Sequence, residues 1–210
     1  MWSRARIEAA TAGDISLFQY QEGQAGPGIA NATAIDTNMP AAGNLPAMHE
    51  MLIYSFQIIP DEILNAASTT GGFSGGAADW MGEASVIAAM QKWNTIYAST
   101  LFQFRIEQSK NYVEGRIDHF PAGGGPHIEH TDATTASDSY DVNYIHTNGI
   151  QSWEATRRLA MPVYIGGLET FRGIIRFPRG QLDFDGGPID WTQGFGLTVR
   201  MTGPRRRPSL

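Results

Sequence analysis

Residues 119–132, "HFPAGGGPHIEHTD", gather three of the chain's five histidines, two carboxylates and three consecutive glycines. His127, Glu129, His130 and Asp132 offer imidazole nitrogen and carboxylate oxygen, donors that suit a first-row transition metal. His130 and Asp132, spaced H-x-D, have the form of the first two ligands of a facial-triad iron site, which needs a distal third. The one later histidine is His146, close by in sequence. A cupin-like metal-dependent enzyme using His127, His130, Asp132 and His146 is one reading of this stretch. A cupin-like centre, however, wants H-x-H on one strand face. His127 and His130 are three apart, and "TDATTASDSYD" (131–141) reads as loop. The preferred reading is a polar loop with no metal, no cofactor and no catalytic duty, so the chain is expected not to be an enzyme.

Other chemistries find less. The glycines of "PAGGGP" suit a turn needing positive φ. They are no phosphate cradle, because no lysine follows Lys110 and neither a G-x-G-x-x-G nor a Walker pattern occurs. There is no G-x-S-x-G elbow, and no cysteine to serve as nucleophile, thiolate ligand or disulfide partner. The closing "GPRRRPSL" places Arg205, Arg206 and Arg207 in a row. Such a run neutralises phosphates of a nucleic acid or meets an acidic patch on a neighbouring subunit.

The elements that would position these residues come next. Only 17% of the 210 residues are charged, with 24 glycines and 11 prolines. Charge depletion is what a surface largely covered by neighbours would show, and the turn formers favour an all-β chain. No apolar run approaches the roughly 18 residues of a bilayer span, and "MWSRARIEAATAGD" lacks the apolar core of a secretory signal. A short helix is expected around "ARIEAATAGDISLF", then an extended arm over residues 20–47. "MLIYSFQII" (51–59) alternates with Leu52, Tyr54, Phe56 and Ile58 on one face. Trp80, Ala84, Ile87, Met90, Trp93 and Tyr97 recur at helical spacing, predicting one helix over 79–97 with Asp79 as N-cap. Further strands follow: Phe102, Phe104 and Ile106 on one face; "NYVEGRIDHF" (111–120); Met161, Val163 and Ile165; Phe171, Ile175 and Phe177; and Phe195, Leu197, Val199 and Met201. Short alternating strands between Gly/Pro turns predict an antiparallel sandwich or barrel in one domain.

An arm ending in "DTNMPAAGNLPA" (36–47) leads into "MLIYSFQII", and "PAGGG" (121–125) follows the middle strand. "RLAMPVYIG" (158–166) and "TFRGIIRFP" (170–178) are joined by a "GLE" turn, and "GLTVRMTGPRRRPS" (196–209) closes the chain. This order of elements resembles the jelly-roll coat proteins of small tailless icosahedral bacteriophages, above all those with a membrane beneath the capsid. The resemblance implies an antiparallel jelly-roll β-sandwich with one helix between strands. It divides the chain into an N-terminal helix and extended arm (1–47), a jelly-roll domain (48–203) and a basic tail (204–210). It further implies a major capsid protein of the virion. Such a protein self-assembles as a trimer or higher capsomer, meets other capsid proteins, and touches an internal membrane or the genome through Arg205, Arg206 and Arg207. A receptor- or carbohydrate-binding spike on the same fold is the other non-enzymatic reading. In the coat reading the arm orders against a neighbour, so loss of residues 1–35 is expected to spare the sandwich and abolish shells.

Overall fold

A computed structural model describes residues 1–7, 13–61, 99–106, 110–121, 127–131, 142–146, 156–178 and 195–207. The helix expected over 79–97 lies outside these residues. The named elements among them are strands and one 3-10 turn, Ile117–His119.

The chain is all-β, with two antiparallel sheets. In the first, β1 (Trp2–Ile7) pairs with β10 (Phe195–Thr202), which pairs with β3 (Glu50–Asp61). Met51 pairs on one edge with Ile165 of β8 (Arg158–Ile165) and on the other with Arg205 of β11 (Arg205–Arg206). Strand β11 therefore continues the course of β10 along β3, and β8 takes the opposite edge. The second sheet runs β2 (Ile15–Leu17), β9 (Phe171–Arg176), β4 (Leu101–Ile106), β5 (Lys110–Arg116). A separate hairpin joins β6 (His127–Thr131) to β7 (Val142–His146).

The two sheets bury one shared apolar core, to which β1, β2, β3, β4, β8, β9 and β10 all contribute. At its centre Phe56 of β3 meets Phe102 and Phe104 of β4, with ring centroids 5.3 and 4.9 Å apart. The alternation of β4, β9 and β10 matches the sequence: Phe102, Phe104, Ile106, Phe171, Ile175, Leu197, Val199 and Met201 are buried.

Strand β3 departs from its expected face. Met51, Ile53 and Ser55 point inward over its first half, then Phe56 and Ile58 over its second, so the alternation shifts by one. The shift coincides with a break in register, where Ile53 and Ser55 span Val163 and Arg158 of β8. A bulge flips every side chain beyond it. Leu52 is therefore only half-buried, and Tyr54 is exposed. The extra residues of β8 include Pro162, which has no N–H for a ladder. This places Met161 in solvent at 80% exposure, against the expectation that it faces inward.

The described residues 1–7 and 13–47 form neither a helix nor a detached arm. Trp2–Ile7 is a strand because its alternation is small or apolar inward, with Ser3, Ala5 and Ile7 buried, and Trp2, Arg4 and Arg6 outward. Residues 20–39 then cover the outer edge of β1. The backbone N–H groups of Trp2, Arg4 and Arg6 donate to Asn38 Oδ1 (2.8 Å), the Asp36 carbonyl (2.9 Å) and the Pro27 carbonyl (3.0 Å). The Tyr20 hydroxyl accepts from the Arg4 N–H at 3.0 Å and donates to the Arg4 carbonyl. Burial, the largest cause, raises its pKa. An edge strand satisfied this way offers nothing to another sheet.

The approach is tight at Gly28, with φ +68°, where an added Cβ would lie 2.4 Å from the Arg6 carbonyl oxygen. Gly23 shares the left-handed conformation at φ +82° but has open space around it. Gly23→Ala is therefore expected to lose about 1 kcal/mol from the backbone alone. Gly28→Ala adds a backbone collision and should lose about 3 kcal/mol. Urea unfolding of both variants checks the difference; equal losses would mean that the segment does not lie on β1.

Candidate interaction surface and the histidine hairpin

The histidine stretch is not the loop that its composition suggests. His127 to Thr131 form β6, and β7 returns antiparallel with His127 opposite His146, Glu129 opposite Tyr144 and His130 opposite Asn143. His127 and His130 occupy opposite faces of the strand, because successive positions alternate. The register brings His127 and His146 together and separates His130 from both; Asp132 lies outside the described residues. Among residues whose side chains are described, no group of three or more His, Asp or Glu is arranged to hold a metal.

The arginine run is not a free tail. Arg205 and Arg206 form β11 against Met51 and Glu50, since Gly203 lets the chain cross β3 closely. A Cβ at Gly203 would sit 1.8 Å from the Leu52 carbonyl oxygen. Arg205 Nη2 lies 2.8 Å from His49 Nδ1, and Arg206 Nη1 lies 4.0 Å from Glu50 Oε2. Arg207 is exposed. Partial desolvation, then the charges of Arg205 and Arg207, lower the His49 pKa. Desolvation and Arg207 lower that of Arg205. Like charges so placed favour the neutral imidazole. Strand formation by two of the three arginines has no signal in composition; the close approach of Gly203 to Leu52 precedes it.

A third feature has no precursor in the sequence reading. The large hydrophobic residues exposed among those described are Ile35, Met48, Tyr54, Tyr112, Met161, Tyr164 and Leu168. Five of them belong to β3, β8 or the adjoining turns: Met48 precedes β3, Tyr54 is in it, Met161 and Tyr164 are in β8, and Leu168 follows β8. Tyr164 stands opposite the half-buried Leu52. Desolvation, followed by the charge of Glu50 and a hydrogen bond with it, raises its hydroxyl pKa. Met48 and Leu168 carry φ values of 62° and 65°, a conformation that an exposed position normally gives to Gly or Asn. Their side chains are 78% and 65% exposed, so no burial within the chain offsets that strain.

This corner carries Tyr, Met, Leu and Arg, the residue types enriched where proteins meet. Among the described residues β8 pairs with no strand but β3, whereas β1 at the other side is closed by residues 20–39. Compared with protein-family models, curated proteins and solved structures, the chain matches none of them.

Proposed function

We propose that the chain is a structural subunit that self-associates through the β3–β8 corner, the coat protein of an icosahedral virion. The observation that carries this reading is that five exposed large hydrophobic residues, Met48, Tyr54, Met161, Tyr164 and Leu168, fall in β3, β8 or the adjoining turns, with Tyr54 and Tyr164 on one face by register. Exposed apolar surface of this kind marks an interaction site, and a second copy of the chain is the occupant proposed. Charge complementarity supports a sister copy. Three arginines at the rim of the corner belong to a chain whose net charge is −6, so acidic surface prevails elsewhere on each neighbour. A contact between unlike surfaces repeats from copy to copy and closes into rings or shells.

Strand order supports the finer fold, a jelly-roll β-sandwich. Setting the β6–β7 hairpin and the two-residue β11 aside, the first strand pairs with the last, β1 with β10. The second pairs with the last but one, β2 with β9. The third pairs with β8 and the fourth with β5. A long hairpin rolled on itself gives this nested pairing, the double Greek key of jelly rolls. Lectins and cupins share the fold, so the corner and not the topology selects the coat reading. In the assembled shell the arginines of β11 would lie at a contact with other capsid proteins, the genome or an internal membrane.

Light scattering and negative-stain imaging of the purified chain test the proposal. The expected result is growth to closed particles. Tyr54→Lys with Tyr164→Lys should leave a folded monomer, each change costing about 2 kcal/mol or more at every copy of the contact. A wild-type chain that stays monomeric, or stops at a small oligomer as a spike would, overturns the coat reading.

A further inference from the structure

We propose that the outer face of the second sheet binds a phosphate group, held between the guanidinium groups of Arg105 and Arg172. The inference goes beyond self-association and uses a different surface. Strands β4 and β9 are the two inner strands of that sheet, and Arg105 stands directly opposite Arg172. Phe104 and Ile106 on either side of Arg105 are buried, as are Phe171 and Gly173 on either side of Arg172. The two arginines therefore share the face turned away from the core. Opposed Cβ atoms lie about 5 Å apart, and like charges placed so destabilise a sheet. The next pair along this face, Gln103 and Ile174, is buried at 3% each, so the arginines border covered surface and not open solvent.

Other arginines meet carboxylates: Arg176 with Asp14 and Arg116 with Asp118 on this sheet, Arg4 with Asp36 and Arg206 with Glu50 on the other. Among the described residues no carboxylate forms an ion pair with Arg105 or Arg172. Arg105 donates one hydrogen bond, from Nη2 to Gln103 Oε1 at 3.0 Å, and its Nε–H is shut off from water without a partner. A guanidinium has donors only, so what this pair lacks is an acceptor carrying negative charge. Gln103, its oxygen engaged by Arg105, has its amide N–H groups left to offer as further donors. The bulge of β5 lies at the same point: Val113 stands opposite Phe104 and Asn111 opposite Arg105, leaving Tyr112 between them. Bulges of this kind re-aim side chains at binding sites. Guanidinium forks match phosphate oxygens, and phosphate brings more charge and more acceptors than a carboxylate. A nucleic acid would need a continuous track of unpaired cations. Arg116 and Arg176, which flank Leu101 on this face, are already held by Asp118 and Asp14. The site therefore takes a single phosphate group, free or at the end of a small molecule.

The test is calorimetric titration of sodium phosphate into the full chain, against sodium chloride at equal ionic strength, with melting followed in parallel. One phosphate per chain is expected, with a melting temperature raised by phosphate and not by chloride. Arg105→Gln and Arg172→Gln should each weaken binding about ten-fold or more, and Arg176→Gln should leave it unchanged. Without phosphate, Arg172→Gln is expected to melt no lower than the wild-type chain, because it relieves a like-charge pair. A lower melting temperature for that variant gives Arg172 a structural role and overturns the proposal. So does the absence of saturable phosphate binding, or an equal loss in Arg176→Gln, which would mean attraction by net charge alone. A single-stranded oligonucleotide that binds more tightly than phosphate and is weakened by Arg176→Gln also overturns it, in favour of a polyanion track. Glycerol phosphate separates the two sources: tighter binding than inorganic phosphate assigns the site to a phosphate-bearing small molecule, and weaker binding to the free ion. None of these results depends on whether particles form, so the coat reading stands or falls separately.

Discussion

Removing residues 1–19 is expected to abolish cooperative folding. The segment contains β1 and β2, one outer strand from each sheet, paired along Trp2–Ile7 with β10 and along Ile15–Leu17 with β9. It also supplies Ala5, Ile7, Ile15, Leu17 and Phe18 to the buried core. Burial of each large side chain is worth about 1.5–3 kcal/mol. Four of them together reach the scale of a whole domain's net stability, about 5–15 kcal/mol. Leaving the segment unordered recovers some conformational entropy. It does not recover the faces left behind: Phe171, which stacks on Phe18 at 6.2 Å, and the inward side of β10 would then face water. The backbone also loses a mutual anchor, the Phe18 N–H donating to the buried Ser3 Oγ at 2.9 Å. Near-ultraviolet circular dichroism and a denaturant titration check the expectation. A truncated chain that unfolds cooperatively at an unchanged midpoint would refute it. The longer truncation of residues 1–35 removes the same strands, so it cannot spare the sandwich while abolishing shells. Its expected result is loss of folding, which bears on the sandwich and not on assembly.

That reversal shows which parts of the fold were legible. Strands β4, β9 and β10 could be read because bulky apolar residues recur at every second position: Phe102, Phe104 and Ile106 in β4, for example, although Gln103 between them is buried as well. Strand β1 could not, because two of its inward positions are Ser3 and Ala5. Small residues suit the crowded edge of this core but leave no hydrophobic period, and "ARIEAA" then scores as helix. The face of β3 was misread at Tyr54 because a bulge is a property of two strands, and its cause, Pro162, is far away in sequence. The hairpin was invisible for another reason. Polar residues fall at both alternate sets of positions in β6, so no hydrophobic period marks the strand. The histidines divide in the same way: residue type singles out His127 and His146, whereas their opposition across β6 and β7 follows from pairing alone. The β3–β8 corner had no sequence signal, since each exposed Tyr, Met or Leu is ordinary by itself.

Phe56→Ala is expected to have the largest effect of any single substitution, a loss of about 4 kcal/mol. Phe56 lies at the point where the two sheets and the 3-10 turn converge. Its ring is 5.3 Å from Phe102, 4.9 Å from Phe104 and 6.3 Å from Phe120, the last nearly edge-on at 82°. Phe102 also meets Phe120 at 5.3 Å, and Phe104 meets Phe171 at 5.9 Å, so removing one ring opens a hole bounded by three others that each keep a further ring contact. Rings locked in this way cannot collapse into the space, and the cost of a cavity rises as collapse is prevented. The same residue sits just past the shift in β3, where Ser55 and Phe56 are buried in succession. Phe56 thus fixes which register of the strand faces the core, because the alternative would bury Gln57 in its place. Phe56→Leu keeps most of the volume and should lose about 1.5 kcal/mol. The two variants together distinguish cavity from register. If the cost is a cavity, Leu recovers most of it and both variants unfold with the wild-type denaturant slope. If register slips, the slope changes and the exposure of Tyr54 and Tyr164, read by near-ultraviolet absorbance, changes with it. A loss below about 1 kcal/mol for Phe56→Ala would place the centre of the core elsewhere, and with it the face that the β3–β8 corner turns outward.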